Sequence, residues 1–460
     1  MLNERLAEAM GLDVETLRSP DGAAFFAASR IVEGLEPLAQ AYAGHQFGHF
    51  AILGDGRALL VGEHRLPEGG TVDVQWKGSG RTVFSRGGDG RLALGPALRE
   101  FLISEAMAGL GIPTTRSLAV AATGESVVRE SLLPGAVLTR VAQSHLRVGT
   151  FEWALVSEDR PALEALLDFA ISRHDPAIDA RWPAGNPATR AERAKAFFEA
   201  VIDWQARLVA SWMGVGFVHG VMNTDNTSIS GETIDFGPCA FLDDYHPATV
   251  FSSIDHAGRY AYGQQPGIVG WNLARLGDTL LPFLGDTPEA GVAVANATLE
   301  SFLDRFATHF TAVFGAKLGL EKPSREDVSL VQALFSLLER ERSDFHRSWI
   351  VLTESVESAL RGEPVPAPFA EWSGHWLARL REEGRRPEDV AATMRRANPR
   401  MIPRNHRVEE ALARASEGDF APYQRLLDAV SVPYEDSPAA RELGAPPAVK
   451  NPHYQTFCGT

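Results

Sequence analysis

Between residues 35 and 140 the apolar positions come in short runs, at 50–53, 58–63, 71–77, 118–122, 126–130 and 135–140, with glycine or proline in most of the gaps. Runs of that length are too short for helices and are bounded by turn residues, so each is predicted as a strand. One helix interrupts them. Pro96 opens a segment 97–110 in which Leu98, Phe101, Leu102, Ala106 and Leu110 form a helical stripe, and Gly111-Ile112-Pro113 closes it. A charged, proline-bearing connector is expected at 157–190. Beyond it, Phe197, Val201, Trp204, Leu208 and Trp212 recur at near-helical intervals over 194–213, with Gly214 and Gly216 as the stop. Residues 228–230 and 233–235 are predicted as two strands of a hairpin about Gly231-Glu232. The remainder is expected to be mostly helix, over 293–314, 325–341, 348–360, 369–383, 389–396 and 408–417, with no fixed-period repeat. The pattern predicts an α+β chain: a small β-rich lobe with one helix, a helical second lobe, and a long helical C-terminal extension.

Composition narrows the class. The chain has 460 residues, 45% hydrophobic and 22% charged, enough to bury large cores and to exclude wholesale disorder. Lys plus Arg number 44 against 59 Asp plus Glu, and the net charge of −15 opposes sequence-independent attachment to nucleic acid or anionic membranes. The two cysteines, Cys239 and Cys458, exclude a disulfide framework or a Cys-rich zinc site and point to a reducing compartment. Residues 1–10 contain no continuous apolar core of a signal peptide, and no later stretch of ~18 uncharged apolar residues occurs. A cytoplasmic protein is expected.

Binding and splitting a nucleoside triphosphate requires a cation for the phosphates, an anion to hold that cation, metal ligands and a base. Lys77 ends the predicted strand 71–77, and both Glu100 and Glu105 lie on the following helix. Five positions at ~100° each separate the two glutamates by roughly 140°, so only one can face Lys77, and the sequence leaves the choice open. A second group is His219-Gly220-Val221-Met222-Asn223-Thr224-Asp225-Asn226, followed by Asp235-Phe236-Gly237. A kinase catalytic loop reads His-x-Asp-x-x-x-x-Asn, with the later Asp-Phe-Gly supplying a second metal ligand. Here Asn226 and Asp235 stand at the metal positions, but Val221 occupies the place of the base. Asp225 is the nearby carboxylate able to replace it.

Three glycine loops, 54–57, 78–81 and 87–91, are expected to be hairpin turns or phosphate-approaching loops, none of them a complete nucleotide-binding motif. Arg140 and Arg147, after the last strand of the small lobe, are either phosphate contacts or surface arginines. His45 and His49 are four apart, but flanking glycines make a loop or turn the expected setting rather than a metal-binding helix. The arginines between 379 and 407 are expected to form a solvated face, with a protein-docking face as the alternative.

Taken together, Ala41-Tyr42-Ala43-Gly44-His45-Gln46-Phe47-Gly48, Gln75 through Thr82, Arg99-Glu100-Phe101-Leu102, His219 through Gly237, Asn398-Pro399-Arg400 and the ending Thr456-Phe457-Cys458-Gly459-Thr460 resemble the selenoprotein O family of pseudokinase-fold protein adenylyltransferases. The resemblance implies a protein-kinase-like two-lobed fold, with an N-lobe at 1–141, a C-lobe core at 142–285 and the helical extension at 286–460. It implies ATP bound in a flipped orientation, AMP transfer to Ser, Thr or Tyr hydroxyls of proteins including the enzyme itself, and pyrophosphate release. It makes Gly54, Gly56, Arg57, Lys77, Asp89, Gly90, Arg140 and Arg147 nucleotide contacts, with Glu100 holding Lys77. Asn226 and Asp235 then bind Mg²⁺, and Asp225 accepts the proton. UMP transfer with Mn²⁺ is a further possibility within the family. Cys458 stands where some relatives carry selenocysteine, which raises the idea of a regulatory disulfide with Cys239. The competing expectations are an ordinary γ-phosphate kinase with Asp225 as its base, and a non-catalytic pseudokinase scaffold suggested by Val221.

Overall fold

The computed structural model of the chain describes residues 1–451 and 453–457. Most of its strands gather in the first third. A hairpin of β1 (Ala43–Gln46) and β2 (His49–Ile52) precedes an antiparallel five-stranded sheet of β3 (Ala58–Arg65), β4 (Thr71–Lys77), β5 (Leu92–Ala93), β6 (Arg116–Val128) and β7 (Leu132–Ala142). β7 is the hub, pairing with β4 and β5 on one side and with β6 on the other. The segments expected as separate strands at 118–122 and 126–130 are one strand, β6, with a register irregularity between Ala122 and Ser126. A bulge lets a strand bend without ending, so Gly124 marks the irregularity rather than a turn between strands. His45 and His49 lie on the strands of the first hairpin instead of in a loop. Its turn is made by Phe47 and Gly48, both at positive φ (50° and 86°).

The interrupting helix runs Leu94–Gly109, with Pro96 inside its first turn, where a missing N–H costs nothing. The connector at 157–190 is largely helical, in contrast to expectation. Leu163, Leu167, Ala170 and Ile171 bury one face of the Arg160–His174 helix, and the charges that suggested a linker lie on its other faces. The long helix Arg190–Val215 keeps Gly214 within its last turn and stops at Gly216, whose φ of 73° supplies the left-handed cap. The helix expected at 293–314 is two, Pro288–Leu299 and Ser301–Lys317. Glu300, between them, keeps right-handed helical dihedrals, so the apolar pattern passes through the break unaltered. The Gln265–Leu284 helix escapes a propensity reading because it carries Pro266, Pro282 and three glycines, yet Val269, Leu273, Leu276 and Leu280 give it a buried stripe.

The hairpin expected at 228–235 does not form. Gly231 turns the chain at φ 73°, but Ser228 bridges Arg147 and Thr233 bridges Thr114. Thr115 N–H donates to the Thr233 carbonyl, and Thr233 N–H donates to that of Pro113, each at 2.9 Å. Long-range pairing thus satisfies backbone groups that the local turn would have paired with each other. The last short strands are β8 (Phe217–Val218) and β9 (Ala240–Phe241), which pair antiparallel.

One apolar core joins Leu98, Phe101 and Leu102 of the Leu94–Gly109 helix to Phe197 and Val201, to Leu273 and Leu276, and to Val408 and Leu426 from near the C-terminus. The helices Asn405–Ser416 and Ala421–Val430 pack on the Leu94–Gly109 helix, and Tyr423 Oη donates to the Leu98 carbonyl at 2.8 Å. A second core collects Phe314, Leu334, Trp349, Leu352 and Trp376. The arginine-rich stretch is not simply a solvated face. Arg379 pairs with Asp327, and Arg404, 1% exposed, is held by Asp243 and Asp344. Among the described residues no helix is long and apolar enough to cross a membrane.

Candidate active site

Strand alternation puts Gln75 and Lys77 on one face of β4, and the register places Arg140 of β7 opposite Gln75, so three polar side chains share that face. The Leu94–Gly109 helix presents Glu100 to them. Lys77 Nζ donates to Glu100 Oε2 at 2.8 Å and to Asp235 Oδ1 at 2.7 Å. Arg140 Nε donates to the other Glu100 oxygen, its Nη1 to Gln75 Oε1 at 3.3 Å and its Nη2 to Asp235 Oδ1 at 3.2 Å. Glu105 faces away and takes Arg116, which settles the choice the sequence left open. Two cations and two carboxylates therefore form one cluster, buried except at Asp235, whose side chain is 28% exposed. Burial pushes the Glu100 carboxyl up, but the Arg140 and Lys77 charges outweigh it and hold the group below its ordinary value. Asp235 follows the same pattern: burial opposes ionisation, and Lys77 and then Arg140 bring it well below the usual carboxylate range. Its backbone sits at φ 67°, a left-handed conformation that Asp tolerates better than most residues.

The segment after β8 is fixed at several points. His219 is buried; its N–H donates to Gln265 Oε1 and its Nε2 to the Ile234 carbonyl, which anchors the residue before Asp235. Asn272 Nδ2 donates to the Met222 carbonyl, and Asn226 Nδ2 to that of Val221. Arg147, at the start of the Val148–Val156 helix, lies over the Tyr42 ring and donates from Nη1 to the Asp225 carbonyl at 3.0 Å. Asp225 itself is 7% exposed, and its Oδ1 has no hydrogen-bond partner among the described residues. Burial raises its carboxyl to about 6, against the opposing pull of the Arg147 charge. A cleft of about 300 Å³ is lined by Lys77, Arg140, Arg147, Asp225, Asn226 and Asp235, together with Val221 at the position a kinase gives to its base.

The family model described as "Protein adenylyltransferase SelO" matches residues 1–431. The chain belongs to the SelO family. Curated relatives, each named protein nucleotidyltransferase YdiU, are similar along the whole chain. That of Geobacillus kaustophilus (strain HTA426) is 52% identical over 464 residues, covering 100% of this chain and 93% of the relative. Those of Brevibacillus brevis and Alkaliphilus metalliredigens are 52% and 50% identical over all of this chain and 92% of theirs. As a SelO family member the chain is a nucleotidyltransferase, an enzyme that acts on protein.

Within this SelO chain the glycine loops divide. Gly56 and Arg57 line the cleft. Gly54, at φ 106°, lies under the Phe84 ring, where a Cβ would come within 2.4 Å of a ring carbon. Thr82 and Ser85 donate to the carbonyls of Asp55 and Gly56, so the loop after β4 is laid over the 54–57 turn. Asp89 and Gly90 are not among the residues lining the cleft. Asp89 takes Arg129 at 2.8 Å and the Arg91 N–H at 2.9 Å, and Gly90 packs on the Gly80 backbone. The sequence pattern did not single out several lining residues, among them the polar Tyr42, Gln46, Asp55 and Asn223. Asn223 Oδ1 accepts from Phe47 N–H and Tyr260 Oη, joining the first hairpin to the loop. Its signal was adjacency to Asp225 and Asn226.

The donor set suits a hard divalent cation. Asp235 and Asn226 bring oxygen donors to the same cleft wall, and Asn226 uses its Nδ2 on Val221, which orients the amide with its oxygen as the remaining group. Among the described residues there is no cluster of three or more His, Cys, Asp or Glu that would cage a metal. Mg²⁺ is commonly held by one or two carboxylates with substrate phosphates and water, so the two side chains are an adequate protein share. Cys239 is buried, with its thiol raised to about 12 by burial and its Sγ on the Phe236 carbonyl. Cys458 lies outside the described residues.

Proposed function

We propose that this enzyme transfers AMP from ATP to Ser, Thr or Tyr hydroxyls of proteins, itself included, on a protein-kinase-like two-lobed frame in the cytoplasm. Residues 1–141 would form the β-rich lobe, 142–285 the lobe carrying Asp225, Asn226 and Asp235, and 286–460 an extension. The Asn405–Ser416 and Ala421–Val430 helices of that extension brace the helix that carries Glu100. The observation that carries the reading is Asp225: a buried carboxylate with an unpartnered oxygen, in the same cleft as the Lys77–Glu100 pair, where Val221 offers no base.

The acceptor hydroxyl oxygen attacks the α-phosphorus, its proton passes to an Asp225 carboxylate oxygen, and the bond to pyrophosphate breaks. Lys77, Arg57 and Arg147 supply positive charge to the phosphates, while Glu100 keeps Lys77 aimed at the cleft. Asn226 and Asp235 would hold Mg²⁺ or Mn²⁺, which supplies charge neutralisation at the phosphate oxygens. No nucleic-acid partner is expected at a net charge of −15.

A base must be ionised to act, and the Asp225 carboxyl stands near 6. The transfer rate at saturating ATP should therefore rise about tenfold per pH unit below that value and level off above it. Asp225→Asn should lower the rate by about 10²–10⁴ and remove this rise. A steady-state pH series on both proteins checks this, and an Asp225→Asn variant at wild-type rate would end the assignment. Competition of ATP with UTP, in Mg²⁺ and in Mn²⁺, decides the transferred nucleotide.

A further inference from the structure

The proposed base stands in a gap left by two glycines. A Cβ at Gly44 of β1 would lie 2.5 Å from Asp225 Oδ1 and 3.0 Å from its Cβ. One at Gly149 of the Val148–Val156 helix would lie 2.1 Å from the Ala43 carbonyl oxygen and 3.3 Å from the Asp225 Cα. The place of the Asp225 carboxylate is thus set by how closely β1, that helix and the loop approach one another. The Asp225 carboxylate itself takes one side-chain hydrogen bond, from Gln46 at the end of β1, and its Oδ1 has no partner among the described residues, so its own ties to the helix and loop are few.

Three side chains outside the cleft lining fix this approach. Glu152 lies one turn after Gly149 on the same helix and is 4% exposed. Its Oε2 accepts from Thr224 Oγ1 at 2.5 Å, and its Oε1 accepts from His45 Nδ1. Thr224 Oγ1 in turn accepts from the His45 backbone N–H at 2.7 Å. The circuit closes: helix to loop, loop to β1, β1 to helix. Thr224 is fully buried and immediately precedes Asp225, while His45 immediately follows Gly44. The His45 ring is held edge-on by Phe50 and Trp271, with centroids 5.2 Å away in each case. Each hydroxyl and carboxylate in the ring has a defined role, which is the condition under which a buried polar network specifies one geometry.

We infer that Glu152, through Thr224 and His45, is the positioning residue that holds Asp225 in its glycine gap at the distance the transfer needs. The inference rests on the reading of Asp225 as the base. A carboxylate is not demanded by the geometry. A glutamine could accept from Thr224 with its oxygen and donate to His45 Nδ1 with its amide nitrogen. Alanine would leave the Thr224 hydroxyl and His45 Nδ1 without their acceptor and so untie the helix from both the loop and β1, while the His45 N–H to Thr224 bond between β1 and the loop remains.

The test uses the full-length protein with α-labelled ATP, and reads kcat, nucleotide affinity and melting temperature for wild type, Glu152→Ala and Glu152→Gln. Misplacing a reacting group by about 1 Å can cost about a hundredfold in rate. Glu152→Ala should lose about that factor in kcat with nucleotide affinity unchanged, and Glu152→Gln should recover most of it. Thr224→Val, of the same shape, carries the same expectation should Glu152→Ala fail to fold, with Thr224→Ser as its rescue. Wild-type kcat in Glu152→Ala and Thr224→Val would overturn the inference. So would a glutamine variant no better than alanine, or a parallel fall in kcat, nucleotide affinity and melting temperature. Absence of transfer by the wild-type protein would instead strike the reading of the site as a whole, which keeps the two failures apart.

Discussion

Asp235→Ala is expected to abolish nucleotide transfer and to leave a folded protein. Asp235 contributes one oxygen to two cations, and both keep a partner when it is removed: Lys77 retains Glu100 Oε2 at 2.8 Å, and Arg140 retains Glu100 Oε1 and Gln75. The structural cost is confined to the backbone. Alanine at φ 67° is disfavoured by about 1–2 kcal/mol, a strain that Asp235→Asn avoids. The functional cost is expected to be larger, because under the proposed function Asp235 is the carboxylate offered to the cation, and its negative charge balances Lys77 and Arg140 beside the cleft. Thermal unfolding with metal-dependent transfer measured alongside checks both halves. A folded Asp235→Asn variant with wild-type transfer would remove Asp235 from the metal site.

Glu100→Ala has the opposite signature. Glu100 is fully buried and faces Lys77 and Arg140 together, with each oxygen given to one of them. Its removal leaves two buried cations sharing Asp235 Oδ1, and breaking a buried pair from one side typically costs about 3–5 kcal/mol. The expected result is a chain with a clearly lowered denaturant midpoint and, at temperatures where it stays folded, weakened nucleotide binding as Lys77 loses its orientation. Glu105→Ala is the control. Its partner Arg116 is a third exposed and can return to water, so the loss should be about 1 kcal/mol or less. Equal midpoints for the two variants would contradict the arrangement of this cluster.

The contrast between these glutamates marks what the sequence carries. Angular spacing on a helix says that Glu100 and Glu105 diverge, and it says nothing about which way the sheet lies. That is fixed by the β4–β7 register, a long-range fact. Alternation and helical periodicity located β3, β4, β7 and the Leu94–Gly109 helix because each follows from local sequence. The hairpin at 228–235 failed for the opposite reason: its turn was local, but its arms pair with Thr114 and Arg147, more than 80 residues upstream in each case. Asp225 was legible as a carboxylate beside Asn226. Its burial, the glycine gap and the Glu152 circuit were not, since Gly44, Gly149 and Glu152 carry no mutual pattern until β1, the Val148–Val156 helix and the loop meet. Arg140 shows a further limit. As an arginine near the end of the last small-lobe strand it reads as a phosphate contact or a surface group; in the fold it lines the cleft and is bonded to Glu100, Gln75 and Asp235, which excludes only the surface reading.

The central claim is that the bond broken lies at the α-phosphorus. Incubating the full-length protein with a divalent cation and either α-labelled or γ-labelled ATP, with Asp235→Ala beside it, tests this most directly. Label retained on protein from the α position alone, and lost in the variant, is the predicted result. Retention from the γ position would make the enzyme a kinase with a displaced base, and retention from neither would leave a nucleotide-binding scaffold; each would contradict the account.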